Sequence, residues 1–547
     1  MAKELNVLLA EVPTNKLIFA GRNPRTGERL RINLGPVDTN LDKPTQMLIA
    51  GALKKQLPRF GYEPKVCFFD GKALPPDRLK KDLADTNYLR EERAIPYANG
   101  IITTYRLGTG LEYIRSLLAE FPVLGLTANF SFETRRIGEA IATYRQYNPK
   151  GKVIVGGRDA TFRPEVYLKQ GADAVVLGEG EEIAGKLIVY LHEGRQLDFP
   201  GVAVREGETF RGLGQRLLRA PINELPLPHF FTPDECLRTD LPLDPRQYCI
   251  ESQDGPFPAD VQPPTYHFFT SRGCVYRCSF CTTAGQRYDA MTPDNVRKLL
   301  RHLKAHGIST LLSAEDAVAE RILFQRDGRD GRNELLEIMQ ITKENQFAVE
   351  WTNAINFNLF HDGKKLDYEL MDGVFGSEMI EGKRVGSYRM SVPIERPGGD
   401  SRLPKLKCHE QQVAIVSEIA ARYNITSMGL CTVIRPEDSM AVLIRMKEKI
   451  QEMQVAILHA GNGRTKTRLG IFCLMPHPGS KDAELEQLAV FSRDEYPELR
   501  HYFAPILDGR KIGGTNYDEM FWELLALKKE LDPRSYDSWI EGGEYAT

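Results

Sequence analysis

Two series of short apolar runs alternate with amphipathic segments along the chain, and a proline-rich stretch separates the two series. The first series covers residues 5–190, and the second begins at residue 265. Alternation of this kind is typical of strand–helix units that build a parallel sheet. At 547 residues the chain is also too long for one ordinary core. The sequence therefore predicts an α/β protein with two parallel-sheet domains.

The first series predicts an α/β domain that covers residues 1–212. Residues 201–211 are expected to form a small hairpin, whereas residues 71–105 fit no regular pattern. This arrangement indicates a Rossmann-like domain with one parallel sheet. The predicted strands lie at residues 5–12, 64–69, 123–127, 152–155 and 174–177, and the predicted helices at residues 45–57 and 109–120.

The second series predicts six further strand–helix units. The Thr-Pro pair at residues 292–293 is a good helix start, because threonine caps a helix and proline is tolerated at its first position. Six units fit a partial (β/α)6 barrel of the TIM type better than a doubly wound sheet. The predicted strands lie at residues 266–270, 308–312, 347–351, 387–392, 428–434 and 468–474, and helices are expected at 292–306, 333–342 and 410–423.

The remaining segments set the domain boundaries. Proline is frequent between residues 213 and 264, which is typical of a linker or a wrapping segment. The barrel is then predicted at residues 265–485, with a charged loop at 326–332. Residues 486–547 are expected to be a tail or a small helical domain.

The composition argues against several kinds of partner. The 72 basic residues nearly balance the 74 acidic ones, so neither a nucleic-acid footprint nor attraction to an acidic membrane surface is indicated. No apolar run approaches the roughly 20 residues of a membrane helix, and the first residues show no signal peptide. The nine cysteines do not suggest a disulfide framework. We therefore expect a cytoplasmic protein.

Three of the cysteines form a CxxxCxxC motif directly after the predicted strand at residues 266–270. Cys274, Cys278 and Cys281 could bind three irons of a [4Fe-4S] cluster and leave the fourth iron open for a ligand, whereas an electron-transfer cluster normally uses four cysteines. The alternative is a zinc site, which needs a fourth ligand and usually a second Cys-x-x-Cys pair. The nearest other cysteines are Cys249 and Cys408. The motif therefore favours a cluster that takes part in chemistry.

The motif resembles the cysteine loop of the radical S-adenosylmethionine (SAM) superfamily, which follows the first strand of a partial β/α barrel. Phe280 occupies the position before the third cysteine, where this family often has an aromatic residue. The resemblance implies that the open iron chelates SAM and that an electron from the cluster cleaves SAM to a 5′-deoxyadenosyl radical. It also implies a low-potential electron donor of the flavodoxin or ferredoxin type.

The same resemblance suggests residues that contact SAM at the ends of the barrel strands. Glu315 and Asp316 follow the second predicted strand, and either could instead cap the next helix. Glu395 matches a strand-end glutamate of the family, although Arg396 stands where the family usually has serine. A structural ion pair of Glu395 and Arg396 is the alternative interpretation.

The first domain resembles that of the radical SAM subgroup that binds cobalamin. Its matching pieces are Gly156 and Gly157 after one strand and Gly178-Glu179-Gly180 after the next, at the sheet edge where such folds bind ligands. Most strand-end glycines only satisfy a backbone requirement, so a domain without cofactor is the alternative. No histidine precedes His192, so cobalt cannot take its lower ligand from a histidine of this domain. We expect Asn129 and Phe130 near that face.

The resemblance implies a cobalamin-dependent radical SAM methyltransferase that methylates an unactivated carbon of a small molecule or peptide. In this scheme the 5′-deoxyadenosyl radical removes hydrogen from the carbon, and methylcobalamin delivers the methyl group. A cyclisation, rearrangement or oxidation with the same cofactors stays open. An iron–sulfur protein with an electron-transfer or structural role is the alternative from another class.

Overall fold

The computed structural model describes most of the chain. Within the described residues, no helix is both long enough and apolar enough to cross a membrane. The described residues are 2–36, 42–73, 89–97, 99–207, 209–212, 218–238, 257–317, 319–326, 329–361, 365–394, 409–435, 438–474, 477–484, 500–501, 504–505, 511–512 and 515–537.

The first part of the chain contains eleven strands and five α-helices among its described residues. The strands are β1 Lys3–Glu11, β2 Thr14–Arg22, β3 Arg29–Pro36, β4 Tyr62–Asp70, β5 Leu89–Tyr97, β6 Gly100–Leu107, β7 Val123–Thr127, β8 Lys152–Gly156, β9 Ala174–Val176, β10 Val202–Glu206 and β11 Thr209–Arg211. The helices are α1 Asp42–Gln56, α2 Thr134–Tyr147, α3 Arg158–Phe162, α4 Pro164–Lys169 and α5 Ala184–His192.

Seven of these strands form one sheet in the order β11-β10-β9-β8-β7-β1-β4. The pairs from β4 to β9 are parallel, and the hairpin β10–β11 joins β9 in the antiparallel sense. All five predicted strands and the predicted hairpin are confirmed within one or two residues. When the five parallel strands are numbered by their order along the chain, they lie side by side in the sheet as 2-1-3-4-5. This order places a topological switch point between β1 and β7.

A four-stranded antiparallel sheet, which we did not predict, also belongs to this part of the chain. Its order is β3-β2-β6-β5, and strands β5 and β6 cover much of the segment in which the sequence showed no regular pattern. One face carries a row of buried apolar side chains that includes Leu17, Phe19, Ile32 and Ile102. The sheet therefore needs a further apolar partner on that face.

The helix predicted at residues 109–120 is wrong. Two short 3-10 helices, Leu111–Ile114 and Leu118–Glu120, occupy the segment. Leu111, Ile114 and Leu118 are buried, so the apolar spacing that suggested a helix is satisfied by packing against the sheet. A helix confined between Gly110 and Pro122 would be short, and short helices are marginal without favourable tertiary packing.

The second part of the chain contains eleven further strands and six α-helices among its described residues. The strands are β12 Thr265–Phe268, β13 Ser271–Arg272, β14 Asp289–Ala290, β15 Thr310–Ser313, β16 Gln325–Arg326, β17 Arg329–Asp330, β18 Ala348–Trp351, β19 Ser377–Ile380, β20 Lys383–Pro393, β21 Ser427–Ile434 and β22 Lys466–Cys473. The helices are α6 Pro293–Ala305, α7 Gly331–Glu344, α8 Tyr368–Phe375, α9 His409–Arg422, α10 Met440–Ala460 and α11 Lys481–Glu484.

Six of these strands form a parallel sheet in the chain order β12-β15-β18-β20-β21-β22. They correspond to the six predicted strands, and β19 pairs antiparallel with β20. Three predicted helices are present as α6, α7 and α9. The predicted charged loop is a short β16–β17 hairpin in its described residues, and Asp330 then caps α7 by accepting a hydrogen bond from the Arg332 N–H at 3.2 Å.

The proline-rich segment packs between the two sheets where it is described. The Phe231 ring stacks on Phe68 of β4 at 4.9 Å, and the Phe230 ring stacks on His306 after α6 at 4.5 Å. Both phenylalanines belong to an apolar cluster that continues from β1 and β4 to β12 and β15. One apolar cluster therefore extends across both sheets.

The C-terminal segment, predicted as a tail or small domain, contains two short hairpins and two helices in its described residues. The hairpin strands are β23 Arg500–His501, β24 Ala504–Pro505, β25 Lys511–Ile512 and β26 Thr515–Asn516, and the helices are α12 Tyr517–Leu531 and α13 Pro533–Asp537. Phe521 and Trp522 of α12 pack edge-on against Phe19 of the antiparallel sheet, at 5.0 and 5.5 Å between ring centres. Leu524 and Leu527 pack into the core of the second sheet. Helix α12 is therefore the missing partner of the antiparallel sheet.

Replacing Trp522 with alanine is expected to lower the free energy of unfolding by about 3–5 kcal/mol, because the truncation leaves a large cavity between α12 and the antiparallel sheet. Urea unfolding followed by circular dichroism measures the change. Lys529→Ala on the exposed side of the same helix is the control, and its effect should stay within about 0.5 kcal/mol. Equal stabilities of the two variants would contradict this packing.

Candidate functional site

A cavity of about 350 Å³ lies between the carboxyl ends of the first parallel strands and the second sheet. Its lining from the first part of the chain includes the apolar residues Leu9 of β1, Leu126 of β7 and Ile188 of α5. Its opposite wall includes Phe269, Thr283 and Asp316, which belong to the second part of the chain. The cavity therefore opens at the switch point between β1 and β7, where folds of this strand order bind ligands, and its volume falls in the range of small-molecule sites.

The predicted strand-end glycines all line this cavity. Gly157 and Gly178 have φ angles of +104° and +98°, and a side chain there would meet the backbone of Ala128 or Leu218 at 2.5 Å, so these two are required by the local backbone. Gly156 differs, because a Cβ atom there would meet no atom closer than Val176, at 3.9 Å. The missing side chain of Gly156 therefore leaves space that belongs to the cavity.

The cysteine loop, residues 273–286, follows β13 and folds back on itself. The Gly285 N–H donates to the Tyr276 carbonyl at 2.6 Å, and the Cys281 N–H donates to the Cys278 carbonyl at 3.2 Å. Cys274 is buried, whereas Cys278 and Cys281 are partly exposed. The Cys281 thiol lies 3.1 Å from the Thr283 hydroxyl, and Thr283 lines the cavity. The cysteine loop therefore forms part of the cavity wall.

Comparison with solved structures shows the same architecture over most of the chain. TsrM from Kitasatospora setae, a radical SAM methyltransferase solved with cobalamin and a [4Fe-4S] cluster, is 15% identical with a TM-score of 0.50, and the match covers 88% of this chain and 75% of TsrM. With tryptophan substrate and a SAM analogue bound, TsrM gives a TM-score of 0.53 at 15% identity, over 89% of this chain and 76% of TsrM. OxsB, a cobalamin-dependent SAM radical enzyme solved with aqua-cobalamin and SAM, gives 0.51 at 14% identity, over all of this chain and 57% of OxsB.

The chain has the fold of cobalamin-dependent radical SAM enzymes. Sequence comparison adds less detail. No family model matches, and an uncharacterized methyltransferase of Pyrococcus horikoshii is 23% identical over 279 residues, which are 50% of this chain and 54% of that protein. The match thus spans about half the length of this relative.

Both cofactors of the radical SAM fold can be tested against the residues present. A cobalamin would meet an apolar cavity whose glycine edge leaves room at Gly156. A cluster would meet three thiols on one hydrogen-bonded loop. Among the described residues, no three His, Cys, Asp or Glu side chains converge as the ligands of a single ion do. A [4Fe-4S] cluster does not require such convergence, because each cysteine binds a different iron. The three thiols fit a cluster, and the apolar cavity with its glycine edge fits cobalamin.

The two residues expected near the lower face of cobalamin are placed differently. Asn129 lines the cavity, and its side-chain oxygen accepts a hydrogen bond from the Arg158 N–H at 3.1 Å. The Phe130 ring does not line the cavity; it stacks on Phe132 at 5.0 Å and approaches the ring of His477, which lies after β22, at 6.1 Å. Asn129 is therefore the better candidate for that face.

The two carboxylates after β15 also differ. Asp316 lines the cavity and accepts a hydrogen bond from the Gly273 N–H at 3.1 Å. Glu315 is buried and accepts hydrogen bonds from the Thr270 N–H, the Thr270 hydroxyl and the Ser271 hydroxyl at 2.6–2.7 Å. Burial raises the pKa of Glu315, and the hydrogen bonds from Ser271 and Thr270 oppose that shift. Of the two predicted SAM contacts, Asp316 has the more favourable position, whereas Glu315 holds the start of the cysteine loop.

Replacing Glu315 with alanine is expected to lower the free energy of unfolding by at least about 1–3 kcal/mol, because buried donors of Thr270 and Ser271 lose their acceptor. The cluster should also be lost more readily, since Thr270 and Ser271 lead directly into the cysteine loop. Iron content after desalting and urea unfolding measure the two effects. Glu315→Gln keeps an amide oxygen as acceptor and should retain most of the iron; equal losses in both variants would count against this role.

A second set of contacts to the cysteine loop was not predicted from the sequence. Arg435, at the end of β21, donates to the Ser279 hydroxyl at 2.8 Å and lies 3.2 Å from the carboxylate of Asp482. The Asp482 N–H donates to the Ser279 carbonyl at 3.0 Å. Ser279 stands between the second and third cysteines, so these contacts attach the loop to the segments that follow β21 and β22.

Two further residues were predicted to belong to the site, Phe280 and Glu395. Phe280 is partly buried against the core of the second sheet, next to the third cysteine. Glu395 lies outside the described residues, so its predicted contact with SAM stays a prediction.

The arginines 158, 219 and 272 line the cavity and were not predicted. Their one signal in the sequence is position, since Arg158 directly follows the Gly-Gly pair and Arg272 precedes the first cysteine by two residues.

Proposed function

We propose that this chain is a cobalamin-dependent radical SAM methyltransferase that methylates an unactivated carbon of a small molecule or peptide. One observation carries the proposal: a single cavity has the cobalamin-type glycine edge as one wall and the cysteine loop as the other. When bound, the cluster and cobalamin would supply reductive cleavage of SAM and transfer of a methyl group. The shared fold of TsrM, solved with cobalamin and a [4Fe-4S] cluster, and of OxsB, solved with aqua-cobalamin and SAM, supports the assignment.

The protein's own residues would then position the reactants and exclude water. Cys274, Cys278 and Cys281 would bind three irons of the cluster. Asp316 could accept a hydrogen bond from SAM, because it reaches the cavity beside the cysteine loop.

The first domain would hold cobalamin on the opposite wall. Gly156, Gly157 and the turn at residues 178–181 would bring backbone close to the corrin, with Asn129 at its lower face. The apolar depth around Leu9 and Ile188 would receive the nucleotide tail. The parallel strands from β12 to β22 would form a partial (β/α)6 barrel whose strand ends face the cofactors.

Two measurements test this function. Anaerobic protein reconstituted with iron, sulfide and hydroxocobalamin, then desalted, should keep the corrin absorbance in stoichiometric amount. Incubation of that protein with cell extract, a low-potential reductant and SAM carrying a deuterated methyl group should yield a product heavier by one labelled methyl. The control omits cobalamin. Loss of the corrin on desalting would contradict the proposal at its first step.

A non-methylating reaction with the same cofactors is the second candidate, because OxsB, a cobalamin-dependent SAM radical enzyme, has the same fold. Product mass separates the two, since a cyclisation or oxidation adds no labelled methyl. An electron-transfer or structural iron–sulfur role predicts no SAM turnover at all. A flavodoxin- or ferredoxin-type electron donor and a cytoplasmic location belong to the proposal.

A further inference from the structure

Arg272 connects the two walls of the cavity. It lies on β13, two residues before the first cysteine, and its guanidinium reaches back to the first sheet. There it lies 2.6 Å from the carboxylate of Glu181 and 3.0 Å from that of Glu179. Both glutamates belong to the turn at residues 178–181, which we call the glutamate turn. One side chain thus bridges the glutamate turn and the start of the cysteine loop.

Arg219 makes the same connection at the other end of the loop. Its guanidinium donates to the side-chain oxygen of Gln286 at 2.6 Å and lies 3.4 Å from the carboxylate of Glu179. Glu179 also accepts a hydrogen bond from the Ala220 N–H at 2.8 Å. The cysteine loop is therefore tied to the glutamate turn at both of its ends, by two arginines that meet at one carboxylate.

The bridge at Arg272 is mostly shielded from water. The side chains of Arg272, Glu179 and Glu181 are 16%, 20% and 7% exposed. Burial alone would lower the pKa of Arg272, but the charges of Glu181 and Glu179 outweigh it and raise the pKa, so the guanidinium stays charged. The Phe269 ring lies 4.6 Å below the guanidinium and shields it further. A bridge of this kind is weakly screened by salt, and its geometry depends on both of the segments that it joins.

We propose that the Arg272 bridge couples binding of cobalamin to assembly of the cluster, so that each cofactor raises the affinity for the other. This inference rests on the proposed function. A bound cluster would fix the cysteine loop, which fixes Arg272 and Gln286. They in turn hold the glutamate turn, including Gly180 on the cavity wall, in the position that receives the corrin. Binding of cobalamin then costs less conformational entropy, because the glutamate turn is already ordered. By linkage, bound cobalamin raises the affinity for the cluster by the same factor. Arg272 is thus a positioning residue between the two cofactors.

The test compares the cobalamin dissociation constant of cluster-loaded and cluster-free protein. Both forms come from one anaerobic preparation of the full chain, with the cluster removed by a chelator, and hydroxocobalamin is titrated by its corrin absorbance. Wild-type protein should bind cobalamin at least about five-fold more tightly with the cluster than without it, which is the lower end of typical couplings. In Arg272→Gln the ratio should fall below about two-fold, because the neutral side chain no longer holds both carboxylates.

Three further variants make the result specific. Arg195→Gln removes an exposed ion pair with Glu193, which also belongs to the first part of the chain. This variant should keep the wild-type ratio of the two cobalamin dissociation constants. Arg272→Lys keeps the charge but not the forked geometry, so its ratio should lie between those of wild type and Arg272→Gln. Glu181→Gln leaves Glu179 in place and should also give an intermediate ratio. This variant supplies the measurement if Arg272→Gln does not fold.

The outcomes separate this inference from the proposed function. Wild-type protein that binds no cobalamin in either form would overturn both. Wild-type protein that binds cobalamin equally well with and without the cluster would overturn the coupling alone. Retention of the full ratio in Arg272→Gln, or in Glu181→Gln if the first variant does not fold, would show that the arginine bridge does not carry it.

Discussion

For the proposed methyl transfer, alanine in place of Cys278 is expected to lower the rate by more than about 100-fold. The reason is that an iron of the proposed cluster would lose its protein ligand, and even changes one shell further out around metal ligands typically cost 10–100-fold. Cys278 is partly exposed on the cysteine loop, so the truncation leaves no large cavity in a core. Iron and sulfide content, the electron paramagnetic resonance signal of the reduced cluster and labelled product are the measurements.

The matched control for this prediction is Cys236→Ala. Cys236 is buried in an apolar cluster and forms a parallel bridge with Phe68 of β4. The control should keep its iron and its rate even if stability falls slightly. Methyl transfer by Cys278→Ala at the wild-type rate would show that the cysteine loop does not hold a catalytic cluster.

Leucine in place of Gly156 should weaken cobalamin binding by about 10- to 100-fold, because overpacking of a fitted site costs about 1–3 kcal/mol and 1.4 kcal/mol corresponds to a factor of ten. A Cβ atom at this position meets nothing closer than 3.9 Å, so the new side chain projects into the cavity rather than into protein. The fold should therefore survive the change. Corrin absorbance after desalting and the melting temperature measure the two effects.

Ala142→Leu is the control for the added volume. Ala142 lies on the exposed side of α2, so leucine there adds the same kind of side chain without entering the cavity at Gly156. This variant should keep cobalamin in stoichiometric amount. Full cobalamin retention by Gly156→Leu would place the cofactor elsewhere.

The parallel strands of both sheets could be predicted from the sequence because each is a short apolar run that is buried on both faces. β7 was predicted with its observed ends, and β12 to β22 follow the predicted order. The antiparallel sheet could not be predicted in the same way. Its strands β2 and β6 pair across some 80 residues of chain, and its apolar face is covered by α12, which is still more distant in sequence. Local periodicity carries no information about such pairings.

The site was predictable only where one residue type solves a local problem. The cysteines and the strand-end glycines have that property, and all of the predicted glycines line the cavity. The partners of Arg272 and Arg435 could not be predicted, because the tertiary fold decides which carboxylates lie beside an arginine. For Glu315 the sequence suggested the wrong role. Its position after β15 indicated a cofactor contact, whereas burial and three hydrogen bonds give it a structural role.

The position of helix α12 has a consequence for biosynthesis. Domains that are contiguous in sequence can fold as they leave the ribosome, the N-terminal one first. The antiparallel sheet is made early, but the side chains that cover it, Phe521 and Trp522, are made after both large sheets. Until then Phe19 and Ile102 stay on an open apolar surface. The nascent chain must therefore carry an unfinished surface through most of its synthesis, which makes that surface a natural place for chaperone binding.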